Sequence, residues 1–80
     1  MSAIILSASV LWAQSADHEA VLIAAIEQAG CVVSEANEQA ILTKAGLSEQ
    51  EGSAIVMQLM SQGRAVPQDD DLRLVTGKCN

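Results

Sequence analysis

Residues 41–63 read ILTKAGLSEQEGSAIVMQLMSQG, and this stretch decides the fold. Gly46 stops one helical pattern and Ser48 starts another, so two helices meet across Gly46-Leu47-Ser48 with no room for a loop. A left-handed Gly46 at C′ places Leu47 at C″ against Leu42 at C3, the hydrophobic contact of a Schellman ending. Ser48-Glu49-Gln50-Glu51 then matches a capping box, with Ser48 as N-cap and Glu51 at N3. Ile55, Val56, Leu59 and Met60 follow helical spacing, and Gly63 provides the stop. Gly52 lies on that same stripe one turn earlier, with two readings: a close helix crossing, or a glycine tolerated near a helix start.

Working outward, Asp17 to Ala29 reads as another helix. Asp17 and Glu19 complement its positive end, Val21, Leu22, Ala25, Ile26 and Ala29 are helically spaced, and Gly30 ends it. Ile23 and Ala24 widen its apolar surface, which predicts a central helix packed between other elements. Cys31-Val32-Val33 favours a short strand. Ser34 reads as the N-cap of a helix running through Ala45, with Glu35 in its first turn and Ala40, Ile41 and Ala45 as the buried stripe. After Gly63, Ala65-Val66-Pro67, Gln68 to Asp71 and Leu72-Arg73-Leu74-Val75 read as strand, loop and strand, with Val66, Leu72 and Leu74 available to the core. Pro67 suits an edge position.

Residues 1–14 fit two templates. As a helix they align Ile4, Ile5, Ala8, Leu11 and Trp12; as a strand, Ile4, Leu6, Ala8, Val10 and Trp12 share a face. Either way Ile4, Ala8, Leu11 and Trp12 are candidates for a self-association surface, such as a homodimer contact, or for padding behind the core. Ala3 to Ala13 superficially resembles a signal-peptide core, but no Lys or Arg precedes it, and it is too short to span a bilayer.

Eighty residues make one domain near the lower size limit for a hydrophobic core alone. Trp12 is the only aromatic residue, so packing falls to small aliphatic side chains, as in helix-on-helix contacts. No linker or repeat divides the chain. The expected class is mainly α with a small β-hairpin: residues 1–80 as a single unit, with 1–14 an apolar extension and 17–76 the core. Four Lys or Arg against ten Asp or Glu give a formal net charge of −6, which opposes approach to nucleic acid or anionic membrane and favours basic protein partners. Lys44, Arg64, Arg73 and Lys78 are scattered and form no basic run. Two cysteines, Cys31 and Cys79, could pair and close a long loop, but they are too few for a disulfide framework and sit where two unrelated thiols also fit; reduced thiols and a cytoplasmic setting are the leading expectation, with pairing left open.

The order helix, short strand, helix, tight turn, helix and hairpin resembles the winged helix-turn-helix superfamily over about Asp17 to Thr76. Val32-Val33-Ser34, Ala45-Gly46-Leu47-Ser48, Leu59-Met60-Ser61-Gln62-Gly63-Arg64-Ala65-Val66 and Leu72-Arg73-Leu74-Val75 carry the resemblance. It implies a fold and leaves activity open. In DNA-binding members the helix after the turn enters the major groove and presents polar or basic side chains. The matching helix here opens Glu49-Gln50-Glu51, and the wing tip is Asp69-Asp70-Asp71, both repulsive to phosphate.

Enzymatic chemistry has little to work with. His18 is the only histidine, and no Ser/His/Asp or Cys/His arrangement can be argued. No CxxC or HxxxH spacing points to a metal, and Asp69-Asp70-Asp71 lacks the alternating ligands and closing Glu of a calcium loop. Gly46, Gly52 and Gly63 punctuate helices and do not form a phosphate loop. The Asp-Ser-Leu of carrier proteins is absent. No catalytic residue, cofactor or metal ligand is therefore expected.

The leading expectation is a small acidic protein-interaction module, a regulator or inhibitor of the kind viruses also use, which docks on a nucleic-acid-binding protein. Its expected contact residues are Glu49, Gln50, Glu51, Ser53, Met57, Asp69, Asp70 and Asp71. Two alternatives stand beside it. One is a dimeric DNA-binding transcriptional regulator using Lys44, Arg64, Arg73 and Lys78 on phosphate; the other is a structural subunit of a larger assembly.

Overall fold

The computed structural model describes residues 17–80. The expectations for residues 1–14, including self-association through Ile4, Ala8, Leu11 and Trp12, lie outside the described residues. The chain is helical over 17–28 (α1), then forms strand β1 (Val32–Val33), helix α2 (Glu38–Ala45), helix α3 (Glu49–Ser61), strands β2 (Ala65–Gln68) and β3 (Asp71–Leu74), and a 3-10 turn at Gly77–Cys79. It is mainly α with a small antiparallel sheet, an arrangement compatible with a winged helix.

The turn between α2 and α3 has the anticipated geometry. Gly46 sits at φ 71°, its N–H donates to the Thr43 carbonyl at 3.1 Å, and the Leu47 N–H donates to the Leu42 carbonyl at 3.0 Å. Only a residue without a Cβ takes this conformation freely. Leu42 and Leu47 are both buried. The capping box is complete: the Ser48 hydroxyl accepts from the Glu51 N–H, and a Glu51 carboxylate oxygen accepts from the Ser48 N–H. The same pair of closing hydrogen bonds ends the other helices, from Gly30 and Cys31 onto Glu27 and Ile26, and from Gly63 and Arg64 onto Met60 and Leu59.

Between α1, α3 and the sheet lies the core. Its most enclosed side chains are Leu22 and Ile26 from α1, Leu59 from α3 and Leu74 from β3, with Ala25, Ile41, Ile55 and Ala65 around them. Gly52 marks a close helix crossing, because a Cβ there would collide with the Leu42 side chain. The sheet order is β1-β3-β2. Val32 pairs with Arg73 and Val33 with Leu72, while Ala65 faces Leu74 and Val66 faces Arg73 across the β2–β3 hairpin. Neither edge invites another strand. Pro67 in β2 has no N–H to donate, and the Val32 carbonyl in β1 accepts from Asn37 Nδ2 at 2.9 Å.

Four expectations need correction. Helix α2 begins at Glu38, not after Ser34: the Ser34 N–H is held by Asn37 Oδ1 at 2.7 Å, and the N–H groups of Asn37 and Glu38 return to the Ser34 carbonyl. This local side-chain bonding captures the backbone in a turn before the helix can start. The buried stripe of α2 is Ile41 and Leu42, with Ala40 exposed. In the hairpin the register turns Ala65 and Leu74 inward, so Val66 is exposed beside Arg73 on the outer face. Finally, α1 buries one face through Leu22, Ala25 and Ile26 while Val21, Ala24 and Ala29 are exposed, so among the described residues it packs through one side.

The cysteines also differ from expectation. Cys31 and Cys79 form a disulfide across 48 residues of sequence, with their Cα atoms 5.6 Å apart. The fold brings them together because β3 pairs beside Cys31, whose carbonyl accepts from the Leu74 N–H at 2.9 Å, and the chain then needs only the 3-10 turn to return. That turn is pinned by the Lys78 N–H, which donates to Glu27 Oε2 at 2.8 Å. Cys31 itself is held at φ 72°, a left-handed conformation that costs a non-glycine residue about 1–2 kcal/mol. Disulfides belong to oxidising settings, so the ground for expecting a reducing, cytoplasmic one is gone. No helix among the described residues is long and apolar enough to cross a membrane.

Closing a loop of 48 residues removes about 4 kcal/mol of chain entropy from the unfolded state. Urea unfolding with and without reductant, or of Cys79→Ser, should show a loss of that order; an unchanged midpoint would mean the bond is not formed. Ser48→Ala should cost about 1 kcal/mol in the same assay, the usual value of an N-cap side chain.

Candidate functional site

Two helix starts and the wing converge on one groove of about 310 Å³. Its floor is built from core side chains, Leu22 and Ile26 of α1 with Ile41 and Leu42 of α2. Half-buried Val33, Val56 and Leu72 rise from β1, α3 and β3 to form the walls. Val33 and Leu72 are directly opposite each other in the β1–β3 pairing, so one cross-strand pair supplies a continuous apolar strip. Gly52, without a side chain, opens the space between α3 and this strip.

Carboxylates crowd the mouth. Glu35 comes from the turn before α2, Glu38 from the first turn of α2, Glu49 from the first turn of α3, and Asp70 and Asp71 from the wing. Each has a local reason to be there: acidic residues complement the positive ends of helices, and Asp is favoured in turns. Asp69, just before them, occupies the left-handed region at φ 56°, which Asp tolerates better than most residues. The fold adds what no local preference requires, by gathering these groups around a single apolar depression.

None of the four Lys and Arg lines this groove. Arg64 is engaged elsewhere, with Nη1 2.7 Å from Glu19 Oε1 and Nε donating to Thr76 Oγ1 at 3.5 Å, tying α1 to the segment between β3 and the 3-10 turn. Arg73 is on the exposed outer side of the sheet. Lys44 is in the last turn of α2, where it borders a shallow dent with Gln28 and Asn37, and Lys78 is in the C-terminal turn. Among the described residues no cluster of His, Cys, Asp and Glu is arranged to hold a metal ion.

Of the residues picked from sequence as contacts, Glu49, Ser53, Asp70 and Asp71 line the groove; Gln50, Glu51, Met57 and Asp69 do not. Glu51 closes the α3 cap and lies 3.6 Å from His18 Nδ1. Met57 is exposed on the outer side of α3. Sequence reading leaves out the other groove residues, among them Glu35 and Glu38 on the rim and Val33, Val56 and Leu72 on the walls. Their signal lies in the antiparallel return of β3 onto β1, a long-range pairing that local patterns do not announce.

No family model matches the chain, and no curated protein or solved structure matches it either.

The carboxyl of Glu51 titrates below the ordinary 4.5, first because the Ser48 backbone N–H donates to it and second because of the Ser48 side chain, with His18 adding a smaller pull. A carboxyl whose pKa is lowered on folding stabilises the fold above its unfolded value, and that contribution disappears as pH falls through the folded value. NMR titration of the Glu51 carboxyl should therefore give a midpoint under 4.5, and Glu51→Gln, which can still cap Ser48, should remove this part of the acid dependence of stability. A midpoint at or above the ordinary value would show that the cap is open in solution.

Proposed function

We propose that the chain is a winged-helix interaction module, without a reaction of its own, that regulates or inhibits a nucleic-acid-binding protein by occupying its cationic surface. One observation carries this reading: five carboxylates, from the turn before α2, the starts of α2 and α3 and the wing, line a groove with an apolar floor, and none of the four Lys and Arg is among the residues that line it. In a DNA-binding winged helix this side would approach phosphate. Here it would meet the backbone with like charge, while a basic protein surface would be steered toward it. The commitment of Arg64 to Glu19 further reduces what the chain can offer to DNA.

A linker histone bound to a short fluorescent duplex provides a generic cationic target. Adding the chain should release the duplex at low salt and do so less well as ionic strength passes about 0.15 M, where screening sets in within about 8 Å. Anisotropy of the bare duplex should not change. Glu49→Lys combined with Asp70→Lys should abolish release. The proposal fails if that variant competes as well as the parent, or if the parent itself binds the bare duplex with salt-sensitive affinity.

A further inference from the structure

We infer that the groove receives a short segment of the partner protein in which one or two aliphatic side chains are flanked by arginine or lysine. This rests on reading the α3 and wing side as a protein-docking face, and it specifies what that face recognises. At about 310 Å³ the groove is at the lower end of small-ligand pockets, which run from about 300 to 1,000 Å³. That is space for a side chain or two, with the rest of the segment lying across the rim. Val33, Val56 and Leu72 give those side chains half-exposed apolar walls to cover.

Charge then selects among occupants. A purely apolar segment would strip water from Glu35, Glu38, Glu49, Asp70 and Asp71 without replacing its hydrogen bonds, which is costly. A purely cationic ligand such as a polyamine would satisfy the rim and leave the apolar walls wet. Exposed ion pairs are individually weak, so the anchoring side chain supplies most of the affinity and the flanking cations supply orientation and approach rate. A basic amphipathic segment meets both demands.

The probe is an acetylated, amidated hexapeptide of four arginines and two leucines, titrated into the full chain by calorimetry and followed by amide NMR shifts. Expected are shifts centred on Val33, Gly52, Ser53 and Leu72, and affinity about tenfold or more above that of a twin peptide with serine in place of leucine, as the burial of one aliphatic side chain implies. Ser53→Trp, at an exposed position on the rim, should block the peptide while leaving the circular dichroism spectrum unchanged. Glu35→Lys with Glu38→Lys, both at exposed positions, should weaken binding independently of that bulk.

If the serine twin or spermine binds as tightly as the leucine peptide, apolar anchoring is wrong, although docking on acidic charge survives. Anchoring is equally wrong if the hexapeptide fails to bind while the linker histone binds in a manner sensitive to Glu49→Lys and Asp70→Lys. If neither histone nor peptide binds, this inference and the functional reading beneath it fall together.

Discussion

Two residues of β1 hold the molecule in register. Val32 and Val33 pair with Arg73 and Leu72, and in doing so they carry the end of α1 to the wing. Three features of the described residues lie next to this contact: the groove wall formed by Val33 and Leu72, the left-handed Cys31 with its hydrogen bond from Leu74, and the disulfide that follows. A strand this short contributes little on its own. It is held because Asn37 fastens the turn after it, through bonds to Ser34 and Val32, while the cross-link fastens the chain before it.

The consequence for the site is a division of labour between local and long-range forces. Helix dipoles and turn chemistry account for acidic residues at the starts of α2 and α3 and at the wing tip. The β1–β3 pairing, together with the close crossing of α2 and α3 at Gly52, brings these three places to one depression. Charge and shape at the groove thus have different origins, the one in local preferences and the other in long-range packing.

Sequence revealed those features whose determinants lie within one turn of one another. The Gly46 ending, the Ser48–Glu51 box, the stops at Gly30 and Gly63 and the hairpin were all legible, because each is set by a few neighbouring residues. Ser34 misleads because Asn37, three residues on, competes for the same backbone groups. The inward choice of Ala65 over Val66 depends on hairpin register, which hydrophobicity alone does not specify when both residues are apolar. The Cys31–Cys79 bond was one of two open readings of the cysteines, and sequence could not choose it because proximity across 48 residues is a product of the finished topology. For the site, Glu49, Ser53, Asp70 and Asp71 were within view, whereas Glu35, Glu38, Val33 and Leu72 needed the strand order.

The sheet edges bear on how copies of this chain behave when crowded. Backbone-to-backbone stacking into fibrils needs a free row of donors and acceptors. In β2 that row is interrupted at Pro67, and in β1 it is two residues long with a carbonyl already taken by Asn37. The described strands therefore offer a neighbouring copy no continuous row on which to stack.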